Sequence, residues 1–270
     1  MTTADLWTEE EWSSFIQEKV DQVLSNLDSP TSPLADLTSA SDRRFPLTID
    51  HTLLKQDATP DQIDALCDEA IKYDFKSCCV NGIFVPQVAK RLEGTETIAC
   101  SVVGFPLGAG TAASQAFEAL NAVANGAKEI DTVIPLSLLL SKPPHYRALY
   151  QHLRTIVNAL TPTSTPLKVI LETSLIPSNE LKVAASVVAA EAGAAFVKTS
   201  TGFAGGGATA DDVKLMAASV RYKGGVKVKA SGGVRTFEKC REMFEAGAER
   251  IGTSSGAAIM RGLESAAGTY

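Results

Sequence analysis

Near the amino terminus, apolar side chains recur at helical spacing: Trp12, Phe15, Ile16, Val20, Val23, Leu24 and Leu27 follow an acidic first turn. This pattern predicts a helix over residues 8–27. Residues 28–42 carry Ser, Thr and Pro without periodicity, the composition of a linker. From residue 47 onward the pattern changes. Short apolar runs at 47–51, 77–81, 98–104, 129–134, 167–173, 196–200, 226–230 and 250–254 read as strands. Between them lie alanine-rich amphipathic stretches, among them 60–73, 112–125, 178–192, 210–222 and 236–246. Eight strand–helix units within roughly 210 residues predict an α/β fold, a single (β/α)8 TIM barrel with an N-terminal helical extension. The expected division is 1–42 for helix and linker, 43–262 for the barrel and 263–270 for a tail. A helix packed on the barrel's bottom, or on a partner subunit, would account for the extension.

Alternation along each strand sorts its side chains into two faces. Phe196, Lys198 and Ser200 share one face of the sixth strand, opposite Val197 and Thr199. In the seventh, Lys227 and Lys229 share a face, opposite Val226 and Val228. Helices cover a barrel's outside, so the valines should point outward and the lysines inward. The same reasoning turns Glu129, Asp131 and Val133 of the fourth strand inward, with Asp50 of the first and Cys79 of the second. Strand interiors are depleted in lysine. Lys198 and Lys229 run into glycine-rich turns at the carboxyl ends of their strands, where barrels place their chemistry. Lys227, deeper in its strand, reads as an ordinary ion-pair residue.

An unperturbed lysine is neutral in only about 1 molecule in 2,500 at pH 7. A second ammonium ~5 Å away, at an effective dielectric of ~20, opposes protonation by about 3 kcal/mol. Partial desolvation adds to this. The pair therefore explains a nucleophilic amine that needs neither metal nor organic cofactor. Such an amine condenses with an aldehyde or ketone to an imine, which stabilises a neighbouring carbanion as an enamine. Asp131, with water, is the candidate acid–base group. The opposing reading has both lysines ion-paired with Asp131, Glu172 or Asp50 merely to hold the barrel together; the glycines that follow them weigh against it.

Three late turns are rich in glycine and hydroxyls. They hold Thr199, Thr201, Gly202 and Gly205 after strand six, and Ser231, Gly232, Gly233 and Arg235 after strand seven. Gly252, Thr253, Ser254 and Ser255 lie at the end of strand eight. Barrel loops in these places bind phosphate through backbone N–H groups and a helix amino terminus. Gly108-Ala-Gly-Thr-Ala-Ala113 has a dinucleotide-fingerprint look. It belongs to the third strand–helix unit, however, and Phe105-Pro106 lengthens its turn, so no nicotinamide site is expected.

A net charge of −6 argues against non-specific nucleic-acid binding. No run approaches the ~18 apolar residues of a membrane span, and the amino terminus lacks the regions of a secretory signal. Five cysteines, Cys67, Cys78, Cys79, Cys100 and Cys240, show no metal-ligand spacing and stand apart in sequence from His51, His145 and His152. They read as reduced, intracellular thiols.

Seven ordered segments together resemble the deoxyribose-phosphate aldolase family. They are Ile49-Asp-His-Thr-Leu-Leu54, Ser77-Cys-Cys-Val-Asn81, Ser101-Val-Val-Gly-Phe-Pro106, Glu129-Ile-Asp131, Val197-Lys-Thr-Ser-Thr-Gly-Phe203, Val228-Lys-Ala-Ser-Gly-Gly-Val-Arg235 and Ile251-Gly-Thr-Ser-Ser-Gly256. The resemblance implies reversible cleavage of 2-deoxy-D-ribose 5-phosphate to D-glyceraldehyde 3-phosphate and acetaldehyde, in cytoplasmic deoxynucleoside breakdown. It makes Lys198 the Schiff-base lysine, Lys229 the lysine that perturbs it and Asp131 the acid–base group. Asp50 and Cys79 match further active-site positions, and Gly205, Gly232, Gly233, Ser254 and Ser255 lie toward the phosphate. It also implies a homodimer or higher homo-oligomer. Some members carry a phosphate-contacting lysine where Phe203 stands here, which shifts phosphate binding onto backbone N–H groups and Arg235. Some end in a tail whose terminal tyrosine reaches the site, a role that would fall to Tyr270. The alternatives are another Schiff-base lyase of this fold, or a phosphate-sugar-binding barrel without catalysis.

Overall fold

A computed structural model describes residues 3–27 and 32–263. Eight parallel strands close into a barrel in chain order, β1 to β8, with β8 pairing back onto β1. They are β1 (Ile49–Leu53), β2 (Ser77–Val80), β3 (Ile98–Val103), β4 (Glu129–Val133), β5 (Leu167–Ile170), β6 (Phe196–Lys198), β7 (Lys227–Ser231) and β8 (Arg250–Thr253). Each strand is followed by helix, so the outward valines and isoleucines pack under a helical layer, as the alternation of elements predicts. That layer comprises α2 (Pro60–Tyr73), α3 (Val85–Arg91), α4 (Ala112–Ala124), α5 (Leu136–Leu139), α6 (Tyr146–Leu160), α7 (Asn179–Ala192), α8 (Ala210–Val220), α9 (Phe237–Glu245) and α10 (Gly256–Met260). Hydroxyl side chains start most of the long ones: Thr59, Thr111, Ser178, Thr209 and Thr236 each accept a first-turn backbone N–H.

A short 3-10 turn (Thr3–Leu6) leads into α1 (Glu9–Ser25), closed by a reciprocal cap between Thr8 and Glu11. Its buried face, Trp12, Ile16, Val20 and Val23, packs against α6, α7 and α8. The helix thus lies on the barrel's flank, not across its bottom. The reason is partly electrostatic. Glu9 accepts the Tyr146 backbone N–H at 2.6 Å, supplying the start of α6 with a cap that its own His145 does not provide. Residues 32–42, expected as linker, form turns that bury Leu37 in the core.

Candidate active site

Strand registers decide which side chains meet inside the barrel. Cross-strand partners share a face, and alternate strands supply each interior layer. Asp50, Cys100, Lys168 and Lys229, from β1, β3, β5 and β7, form one layer. Above it, toward the carboxyl ends, stand Cys79, Asp131, Lys198 and Gly252 from β2, β4, β6 and β8. Gly252 matters by what it lacks: a Cβ there would lie 2.9 Å from Cε of Lys229 and 2.9 Å from Cβ of Ser231. The missing side chain is the space through which the Lys229 stem passes.

Asp131 is the hub. Its Oδ2 accepts from Nζ of Lys198 at 2.9 Å and from Nζ of Lys229 at 2.8 Å. Its Oδ1 accepts from Nζ of Lys168 at 2.6 Å and from the Cys100 thiol at 3.3 Å. Asp50 accepts from Lys229 at 2.5 Å, from Arg250 at 2.7 Å and from the Ser77 hydroxyl at 2.7 Å. Glu129 holds Lys168 at 2.7 Å and Arg250 at 2.9 Å. The two lysines singled out from the sequence therefore meet on a single oxygen, inside the barrel. Lys227 does not join them. It sits at the lower rim with its side chain 48% exposed, and pairs with Glu249 at 3.4 Å.

Burial alone would push the carboxyl of Asp131 up; Lys168, Lys198 and Lys229 more than reverse this and hold it well below the usual carboxylate range. The carboxyl of Asp50 is likewise lowered, against burial, by Arg250, Lys229 and Lys168. Burial works against the ammonium of Lys229, yet Asp131 and Asp50 hold it above the usual lysine range. Lys229 is thus a fixed positive charge. The ion-paired cluster joins four cations, Lys168, Lys198, Lys229 and Arg250, to three carboxylates, Asp50, Glu129 and Asp131. One proton fewer would make it neutral. Lys198 contacts a single carboxylate, whereas Lys168 reaches three and Lys229 and Arg250 two each. Lys198, with the fewest carboxylate partners of the three lysines, stands in the upper layer, nearest the mouth. This refines the pairing argument, because repulsion from Lys229 acts in a field that Asp131 and Asp50 largely balance.

Residues 45–262 match the family described as DeoC/LacD family aldolase. The chain belongs to that family. Deoxyribose-phosphate aldolase 1 of Staphylococcus aureus strain Mu50 is 51% identical over 221 residues, covering 82% of this chain and 97% of the relative. The deoxyribose-phosphate aldolase of Staphylococcus carnosus strain TM300 is 50% identical, covering 80% and 96%. A tetrameric deoxyribose phosphate aldolase from Aeropyrum pernix superposes with a TM-score of 0.77 at 30% identity, covering 91% of this chain and 95% of that one. This aldolase is therefore a carbon–carbon lyase, built on the barrel that the strand count predicts. Among the described residues, no helix is long and apolar enough to cross a membrane.

At the aldolase's mouth the late loops come together. The Cβ position of Gly207 lies 2.4 Å from the Gly232 carbonyl oxygen, so only glycine lets the loops after β6 and β7 touch. Four hydroxyls expected to face a substrate are otherwise engaged. Thr199 donates to Ser231 O at 2.8 Å, Ser231 to Ser200 O at 3.0 Å and Thr253 to Val234 O at 2.6 Å. Thr201 donates to Glu172. They shape the loops because each has only one proton to give. Gly202, Gly205, Gly233, Ser254 and Arg235 remain at least partly exposed around this rim, with Gly232 and Ser255 buried behind them. Phe203 is 41% exposed and meets Phe105 edge-on at 5.2 Å between centroids. Tyr270 lies outside the described residues.

Sequence reading missed three members of the cluster: Lys168, Arg250 and Cys100. Lys168 in Leu167-Lys-Val-Ile170 carried the same signal as Lys198, a lysine inside a strand. No glycine-rich turn follows it, so it lacks the strand-end setting of Lys198 and Lys229.

Proposed function

We propose that this aldolase cleaves 2-deoxy-D-ribose 5-phosphate to D-glyceraldehyde 3-phosphate and acetaldehyde through a Schiff base on Lys198. The Nζ of Lys198 adds to the aldehyde carbon of the open-chain sugar. Asp131 relays protons, with water, as the carbinolamine loses its hydroxyl. The protonated imine withdraws electrons as the C2–C3 bond breaks, the C3 hydroxyl gives up its proton and glyceraldehyde 3-phosphate departs. Protonation of the enamine and hydrolysis of the imine then release acetaldehyde. Lys229 acts by its permanent charge, and Asp50 fixes Lys229 in place. Cys79 stands in the same layer as Lys198 and Asp131, close to the reacting carbons. The observation that carries this reading is the placement of Lys198 beside the fixed charge of Lys229, with a single shared carboxylate between them.

Borohydride reduction in the presence of acetaldehyde is expected to leave one ethyl group on Lys198, located by peptide mass spectrometry. An unmodified chain, or a label on another lysine, would rule the assignment out.

The phosphate would lie against the backbone N–H groups of Gly205, Gly232 and Gly233, with Ser254, the Ser255 hydroxyl and Arg235 around it; the Ser255 N–H itself is donated to the Thr253 hydroxyl at 2.9 Å. The curated relatives' names support a phosphorylated sugar. Phe203 adds no positive charge there. Exchanging Phe203→Lys is expected to lower KM for the phosphorylated sugar roughly tenfold and leave free deoxyribose unchanged, as a charge-assisted hydrogen bond of about 1.5 kcal/mol would do. Equal KM changes for both sugars would move the phosphate elsewhere. We also infer a homo-oligomer, a reading supported by the Aeropyrum pernix tetramer, and, from the family resemblance, a cytoplasmic location.

A further inference from the structure

No spacing in the sequence suggested a metal site, because its ligands come from three different strands. Cys79 and Cys100 are register partners on β2 and β3, and Asp131 stands on β4. One ligand atom from each, two thiol sulfurs and a carboxylate oxygen, lies within 4.8 Å of the others, and all three residues are fully buried. In a tetrahedral zinc site with Zn–S bonds of ~2.3 Å, ligand atoms are roughly 3.5–4 Å apart. Small rotations about χ1 would close the difference.

We propose that Cys79, Cys100 and Asp131 form a binding site for a thiophilic divalent cation, Zn2+, whose occupation switches the aldolase site off. Both thiols give up their protons to solvent as the cation enters. Bonds form from each Sγ and from one Asp131 oxygen, and water takes the fourth position. Two protons leave as two positive charges arrive, so the net charge of the trio is unchanged. The nearby ammonium groups of Lys168, Lys198 and Lys229 therefore do not oppose binding as they would oppose a bare cation. Lys168 favours it. Its Nζ lies 3.3 Å from Sγ of Cys100 and 2.6 Å from Asp131 Oδ1, in position to donate to both ligands once they are charged.

Occupation draws Asp131 away from Lys198 and Lys229 and fills the space where the imine forms. The inhibition strengthens with rising pH, because binding releases two protons. Cys67 and Cys78 form a second thiol pair, at the outer face of β2, and serve as the internal control.

The test is titration of the full chain with Cd2+, read by the ultraviolet thiolate-to-metal absorbance, and with Zn2+, read by borohydride trapping of acetaldehyde. The expected result is one Cd2+ per chain. Equimolar Zn2+ should slow trapping at least about tenfold, with recovery on adding a chelator. Cys100→Ser should lose the absorbance, and Zn2+ should no longer change its trapping rate relative to its own metal-free rate. Cys67→Ser should keep both responses. No absorbance in the parent, an unchanged one in Cys100→Ser, or its loss in Cys67→Ser would overturn the proposal. The absorbance reads the metal site without turnover, so its failure is distinct from failure of the aldol reading, which metal-free trapping tests alone.

Discussion

Replacing Lys229 by Leu is expected to slow imine formation at Lys198 on the order of a hundredfold at neutral pH and to restore most of the rate under alkaline conditions. Lys229 is held charged by Asp131 and Asp50, and its Nζ shares Asp131 Oδ2 with Lys198. Two ammonium groups ~5 Å apart at an effective dielectric of ~20 repel by about 3 kcal/mol, which is roughly two decades in the population of the neutral amine. Removing Lys229 also leaves Asp131 with one cation fewer, which strengthens its attraction for a protonated Lys198. Both effects act in the same direction. The measurement is the rate of borohydride trapping with acetaldehyde across a pH series. A variant that traps as fast as the parent at neutral pH would show that the charge of Lys229 has no part in activating its neighbour.

Much of this arrangement is legible in the sequence. Period-2 alternation sent Lys198, Lys229, Asp131, Asp50 and Cys79 into the barrel, and all five are buried there. A helical layer forces the apolar face outward, so any charged residue on the other face must meet its counterparts inside. Lys227, read as an ordinary ion-pair residue, is one, paired with Glu249 at 3.4 Å, and it shows that facing inward is not the same as being enclosed. Lys227 is the first residue of β7, and its side chain reaches the open lower rim. Alternation also says nothing about height. Which charges share a layer depends on the stagger between strands, a property of barrel closure that no single strand encodes. That is why the partnership of Lys168 with Asp131, and the balance of four cations against three carboxylates, emerged only from the register. The hydroxyls failed for a different reason. A Thr or Ser hydroxyl at a strand end can serve a neighbouring backbone carbonyl as readily as a ligand, and Thr199, Ser231 and Thr253 do so here, each donating to a carbonyl of an adjacent strand or loop.

The same network governs stability. Asp50→Asn is expected to destabilise the fold by about 3–5 kcal/mol, the usual cost of leaving buried charges without their partner. The change in melting temperature should be on the order of 10 °C. Asp50 receives Lys229 at 2.5 Å and Arg250 at 2.7 Å, and all three side chains lie at or near full burial. An asparagine oxygen still accepts a hydrogen bond but does not neutralise the cations. The sign of the pH dependence follows from the folded-state shift. The carboxyl of Asp50 is lowered in the fold, so its contribution is fully present above the unfolded value of ~3.9 and is lost as pH falls toward the folded value. Lys229 is raised, so its contribution is fully present below ~10.4 and is lost only as pH climbs through the still higher folded value. The stability gap between parent and Asp50→Asn should therefore stay level between about pH 5 and 9. Below pH ~4 it should narrow by about 1.4 kcal/mol per pH unit. Urea unfolding of both proteins at pH 7 and pH 3 measures it. An equal gap at the two values would mean that Asp50 holds the barrel by shape and hydrogen bonding, and that its charge balances nothing.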